Sequence, residues 1–189
     1  MNTAQRRYSS AAVFLHWLIA LLIIGQIAGG LYMHRLPATT LKFELYQWHK
    51  SFGVTILALS VLRLGWRLTH RPPPLPDAMS RIEQFGARAS HAGFYVLLFA
   101  LPLVGWAMVS ASPKDLPTVL FETVPFPHMP GLPQSESLEA AFMQTHKYLA
   151  YSAIALLFLH VAAALKHHFI KRDDVLTAMA PWIKPKSSS

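Results

Sequence analysis

The chain has 189 residues, 53% of them hydrophobic and only 14% charged, against a usual charged share of about a quarter. So little polar surface cannot cover a soluble globule of this size; lipid is the better solvent, and the net charge of +8 reads as membrane topology rather than as a nucleic-acid-binding face. The absence of cysteine excludes disulfides, iron–sulfur clusters, thiolate-ligated haem and c-type haem attachment, whereas histidine is plentiful at ten.

Arg6-Arg7 precede the first apolar run. That run is too long for a signal-peptide core and has no convincing small-residue cleavage site, and the arginines lack the rest of a twin-arginine signal. It reads as a retained helix. A bilayer core needs about 20 mostly apolar residues per helix, and four segments qualify: residues 11–33, 47–68, 89–109 and 145–169. Residues 34–46, with Pro37, form a short turn. Residues 70–88 carry Pro72, Pro73, Pro74 and Pro76, which cannot continue a helix. Residues 111–144 hold six prolines from Pro113 to Pro133 and are long enough to cover one end of a bundle; their tail, from Ser135 to Thr145, suits a short amphipathic helix. The expected fold is all-α, a transmembrane four-helix bundle forming one domain over residues 1–189, with no internal repeat.

Lysine and arginine are unevenly spread. Arg6, Arg7, Arg63, Arg67, Arg71, Arg81, Arg88, Lys166, Lys171, Arg172, Lys184 and Lys186 fall on the side of the termini. Arg35, Lys42, Lys50, Lys114 and Lys147 fall on the other. The positive-inside bias then puts both termini in the cytoplasm.

Ionisable residues at membrane depth are costly and usually functional. His16, His49, His91, His146 and His160 lie within or at the ends of the spans, which contain no Asp or Glu; this argues against a carboxylate proton relay or a carboxylate-bridged metal. His146 and His160 are 14 residues apart, a rise of about 21 Å with a rotation that leaves them about 40° apart on one helix face. One helix thus offers an imidazole near each membrane surface, the spacing needed to ligate two haems stacked across a bilayer. Two axial imidazoles fill the coordination of a haem iron, which favours electron transfer over oxygen binding.

Topology selects the partners. His49 and His146 both lie at the outer level. His160 lies at the inner level with His16 and His91. His16, deeper in its span and followed by Trp17, is the preferred partner, which leaves His91 for a quinone site, a proton path or a structural hydrogen bond. Arg63 and Arg67, one turn apart near the inner end of the second span, suit haem propionates or lipid phosphates. Gly53, four residues after His49, suits close approach of a porphyrin, and Gly25, Gly29 and Gly30 suit either that or close helix packing. Trp17, Trp48 and Trp66 sit where interfacial aromatics are expected. His167 and His168 read as solvated, and His34, His70 and His128 as turn or loop residues without a role.

These stretches resemble the bacterial cytochrome b561 family of small di-haem membrane proteins. The resemblance rests on Phe14-Leu15-His16-Trp17-Leu18, on Trp48-His49-Lys50-Ser51-Phe52-Gly53, and on Val61 to Arg71 with the following prolines. Ser90-His91-Ala92-Gly93 to Leu101-Pro102, Thr145-His146-Lys147, and the run from His160 to His168 with Asp173 and Asp174 after it complete the match. It implies two non-covalent haem b groups, axial iron ligands at His16, His49, His146 and His160, and exchange of electrons with the quinone pool in a bacterial inner membrane. A similar enteric protein works as a superoxide:ubiquinone oxidoreductase, which would make superoxide the donor and ubiquinone the acceptor. Lys50 and Lys147, each following an outer ligand, would attract such an anion or hold propionates. Two other functions remain open: a cytochrome b subunit docked to a redox partner protein such as a hydrogenase or dehydrogenase, and a histidine-rich metal or proton transporter.

Overall fold

The computed structural model describes residues 8–76 and 79–183. Arg6, Arg7, Lys184 and Lys186, used above for topology, lie outside the described residues. Four long helices, α1 (Ser10–Arg35), α2 (Thr40–Thr69), α3 (Arg81–Ala111) and α4 (Glu136–Lys166), make the bundle. All four are long and apolar enough to cross a membrane. Between α3 and α4 lies a small antiparallel hairpin, β1 (Thr118–Leu120) and β2 (Val124–Phe126), and after α4 come a π-helical turn (His167–Lys171) and a short helix α5 (Val175–Met179).

The helices start where side chains can meet free backbone N–H groups. The Ser9 hydroxyl accepts from Ala12 N–H, Thr39 from Lys42 N–H, and Ser80 from Glu83 N–H; the Glu83 carboxylate in return accepts from Ser80 N–H, completing a capping box. Glu136 and Glu139 sit in the first turn of α4, where acids favour the helix dipole. These caps lengthen the expected spans. Residues 34–46 are not one turn: α1 continues to Arg35 and α2 begins at Thr40, so only four residues around Pro37 connect them. The stretch before Thr145 is helical, as its amphipathic pattern suggested, but is continuous with α4.

α3 packs most extensively on α4, and α1 on α2. A small apolar core of Ile19, Ile56 and Leu98, flanked by Leu22, Ile23 and Leu59, joins α1, α2 and α3 at mid-height. The outward faces carry Phe14 (64% exposed), Leu21 (65%) and Phe158 (72%), an arrangement stable only against lipid.

Both ends of the bundle are covered. At one end the hairpin docks on α2 and α3 through polar groups. The Gln47 amide donates to Pro117 O and accepts from Val119 N–H; Ser51 Oγ accepts from Phe121 N–H; Ser110 Oγ accepts from Met129 N–H; and Trp106 Nε1 donates to Pro127 O. The Phe121 ring packs against Trp48 and Phe52. At the other end the π-helical turn reverses the chain through Arg172 in the left-handed region (φ 57°). α5 is then latched by Trp17 Nε1, which donates to Met179 O at 2.7 Å, and by the Trp17–Trp182 ring contact. Below these are called the hairpin end and the terminal end.

Candidate functional site

His146, Ala153, His160 and His167 recur every seven residues along α4 and its π-helical extension. In an α-helix two turns return almost to the same face, so one seam carries three imidazoles and one small residue. Ala153 is 5% exposed, which places this seam toward the bundle interior. The seam separates the two histidine clusters by the rise of fourteen residues, about 21 Å.

At the hairpin end His49 of α2 faces His146 of α4, with ring centroids 6.2 Å apart and planes inclined by 71°. Each ring lies beside a glycine of the preceding helix. A Cβ on Gly30 would meet His49 Cε1 at 3.6 Å, and one on Gly105 would meet His146 Cε1 at 3.3 Å. His146 Nδ1 is 3.1 Å from Leu101 O. A carbonyl only accepts, so Nδ1 carries the hydrogen and Nε2 the free lone pair. His49 Nδ1 is buried without a hydrogen-bond partner. A buried polar atom left unmet is uncommon and calls for an explanation.

At the terminal end His160 has two imidazole neighbours, His16 at 6.3 Å with planes inclined by 58° and His91 at 6.0 Å with planes inclined by 61°. Phe94 packs edge-on against His160, and Trp17 against His16. Imidazole nitrogens bound to one metal at about 2 Å each put their ring centroids about 6 Å apart. The separations in both clusters fit a bis-histidine iron, and the glycine beside each hairpin-end ring fits the approach of a flat group there. Distance alone does not choose between His16 and His91.

The second-rank residues sort themselves. Arg63 and Arg67 are half-buried; Arg63 is within electrostatic reach of His16, His91 and His160, and Arg67 lies 5.8 Å from the centre of the Tyr95 ring. Both also reach Tyr8, whose hydroxyl is raised above its ordinary range by burial, with the two guanidinium charges opposing the shift. The pair therefore faces the terminal-end cluster. Lys50 donates from Nζ to Pro117 O, so it ties down the hairpin, whereas Lys147 is exposed. Gly53 faces Gln26, whose Nε2 donates to the His49 carbonyl at 2.7 Å and so ties α1 to α2. Gly25 and Gly29 meet nothing within 4 Å.

His167 and His168 depart from expectation. They are 5% and 7% exposed, not solvated. His167 Nδ1 lies 2.5 Å from Asp173 Oδ2, and Asp173 Oδ1 accepts from Val175 N–H. The heptad from His146 carried the signal for His167; the return of Asp173 depends on the π-helical turn, which sequence periodicity does not announce. Gln26 was missed because a lone amide in an apolar run reads as tolerated. Among the described residues no group of three or more His, Cys, Asp or Glu is arranged to hold a metal ion by itself.

The prokaryotic cytochrome b561 family model matches residues 7–182. Cytochrome b561 homolog 2 of Escherichia coli (strain K12) is 34% identical over 185 residues, covering 94% of this chain and 93% of its own length. Cytochrome b561 homolog 1 of the same organism is 27% identical, covering 94% and 98%. A protein of Yersinia pestis named "Probable superoxide oxidase CybB" is also 27% identical, covering 94% and 97%.

Proposed function

The chain belongs to the prokaryotic cytochrome b561 family, a family of haem b membrane electron-transfer proteins, and we propose that it holds two haems, one at each end of the bundle, and carries electrons between them to ubiquinone. His49 and His146 would hold the first, His16 and His160 the second, with Arg63 and Arg67 as partners for the propionates of the second. The observation that carries this reading is the two pairs of facing imidazoles, at 6.2 Å and 6.3 Å, at two levels of α4 fourteen residues apart. When bound, bis-histidine haem b supplies one-electron transfer with no open iron position.

The residues around each end divide the work. At the hairpin end, which we assign to the outer face of the bacterial inner membrane, the docked hairpin restricts access to small donors. Superoxide is the proposed donor: two superoxide ions give two electrons and leave as two molecules of oxygen, and one ubiquinone takes those electrons with two protons to become ubiquinol. Lys147 is the exposed cation beside an outer ligand that would attract the anion. At the terminal end, assigned to the cytoplasm, the protons must be delivered. His91 beside His160, and the His167–Asp173 pair two turns further along the same seam, are the groups suited to hydrogen-bond a quinone oxygen and pass a proton to it.

The test is a reduced-minus-oxidised spectrum with a pyridine haemochrome assay per chain, followed by superoxide-driven ubiquinone reduction in proteoliposomes. Two b-type haems and catalytic ubiquinol formation are expected. One haem per chain would remove one pair. Two haems without turnover would leave electron transfer to a docked partner protein as the function. A colourless protein, after expression with ample haem, would return the transporter reading.

A further inference from the structure

His146 differs from the other three proposed ligands in one respect: among the described residues it alone has a ring nitrogen hydrogen-bonded to the protein, through Nδ1 to Leu101 O at 3.1 Å. His49, which faces it, has a buried Nδ1 with no partner. The ring of His146 is also held from the side. A Cβ at Gly105, one turn after Leu101 on α3, would stand 3.3 Å from Cε1 and 3.5 Å from Nδ1, closer than a side-chain methyl normally sits. The same construction at Gly30 gives 3.6 Å to His49, ordinary contact.

We infer that Leu101 O and Gly105 are positioning elements that make His146 the stronger electron donor of the two hairpin-end ligands, and so lower the midpoint potential of the centre it binds. The inference rests on the ligand assignment above. Donation of the Nδ1 hydrogen to a carbonyl fixes the tautomer with Nε2 free and raises the basicity of that nitrogen. A more basic axial ligand stabilises the ferric state over the ferrous, and hydrogen bonding to axial ligands is one of the levers by which a protein sets haem potential. Gly105 is required because α4 must approach α3 closely enough for the ring to reach the carbonyl of the neighbouring helix. The consequence is directional: an outer centre of lowered potential passes its electron inward downhill.

The test is redox titration of Gly105→Ala and Gly86→Ala against the unaltered protein, in detergent, with haem content measured on each; Gly86 lies on the same helix with nothing within 4 Å of an added Cβ. Gly105→Ala is expected to keep both haems and to raise one midpoint potential while the other stays; Gly86→Ala is expected to move neither. Unchanged potentials in Gly105→Ala, or equal shifts in both variants, would overturn the inference. Should Gly105→Ala lose haem, the unaltered protein provides the second measurement. Paramagnetic NMR with labelled histidine should find one slowly exchanging ligand ring N–H that disappears in His146→Ala, and equal exchange for all ligand rings would refute the hydrogen bond. His146→Ala retaining both haems would instead remove the ligand assignment, and the inference with it.

Discussion

His160 has two imidazole neighbours at nearly equal distance, His16 at 6.3 Å and His91 at 6.0 Å, and a haem iron held by His160 would take one of them as its second histidine. The assignment to His16 makes a direct prediction. His16→Ala should lower haem from about two to about one per chain, and His91→Ala should keep two while slowing ubiquinone reduction by the factor of about 10²–10⁴ usual for a lost proton donor. Haem loss confined to His91→Ala would exchange the two roles. These three histidines, like His49 and His146, stand out in the sequence because an ionisable group in a run of apolar residues is conspicuous and helix rise assigns it a depth. The sequence is silent on residues whose role arises from contact between helices. Gln26 bonding the His49 carbonyl, Gly105 against His146, and Asp173 returning to His167 each join positions that no periodicity links. Lys50 follows a proposed ligand in sequence, which suits an anion attractor or propionate partner, and its ammonium also donates to Pro117 O, a contact across 67 residues that sequence spacing does not announce.

At the level of elements, the four helices were legible from hydropathy and the hairpin was not. Strands of three residues, one of them containing Pro125, are too short to show alternation, and the proline content pointed only to a loop. Helix ends were misplaced for a related reason: residues 40–46 are polar enough to end an apolar run, although Thr39 is a good N-cap. What the hairpin lacks in length it gains in docking. Ser51, 1% exposed, donates to Gln47 O at 2.8 Å and accepts from Phe121 N–H at 2.9 Å. Ser51→Ala would lose that hydrogen bond, a cost of about 0.5–1.5 kcal/mol, and should make residues 116–130 more sensitive to protease in nanodiscs; unaltered cleavage would show that the hairpin is held elsewhere. The tip carries the opposite opportunity. Phe121 and Glu122 both lie in the left-handed region, at φ 49° and 59°, where a side chain costs about 1–2 kcal/mol. Phe121 has its ring anchored between Trp48 and Phe52, whereas Glu122 is exposed. Glu122→Gly should therefore stabilise the hairpin by about 0.5–1 kcal/mol after glycine's own entropic cost, read as slower cleavage in the same assay. Faster cleavage would mean that Glu122 makes a contact worth more than the strain.

Among the described residues the charge is unevenly divided. Arg63, Arg67, Arg71, Arg81, Arg88, Lys166, Lys171 and Arg172, with Glu83, Asp173 and Asp174, belong to the terminal end; Arg35, Lys42, Lys50, Lys114 and Lys147, with Glu44, Asp115, Glu122, Glu136 and Glu139, belong to the hairpin end. These residues give the terminal end a net charge of +5 and leave the hairpin end neutral. Part of the terminal-end charge is tied into the fold: Glu83 at the start of α3 pairs with Lys166 at 3.0 Å and Lys171 at 3.8 Å, joining α3 to the reversal after α4. Arg63 and Arg67 are half-buried beside the histidine cluster, Arg67 against the Tyr95 ring. The short connections and the tail still keep their excess of cations, and it is such short flanks that the positive-inside bias reads. Fusions to the C-terminus should therefore show high activity with a reporter that works only in the cytoplasm and none with one that must be exported. The opposite pattern would turn the bundle over, and the proposed donor and acceptor faces with it: the hairpin would then cover a cytoplasmic centre, superoxide from outside would meet the Arg63–Arg67 end, and proton uptake through His167 and Asp173 would occur from the outer side. The charge asymmetry, invisible in any single helix, is thus what orients the proposed chemistry.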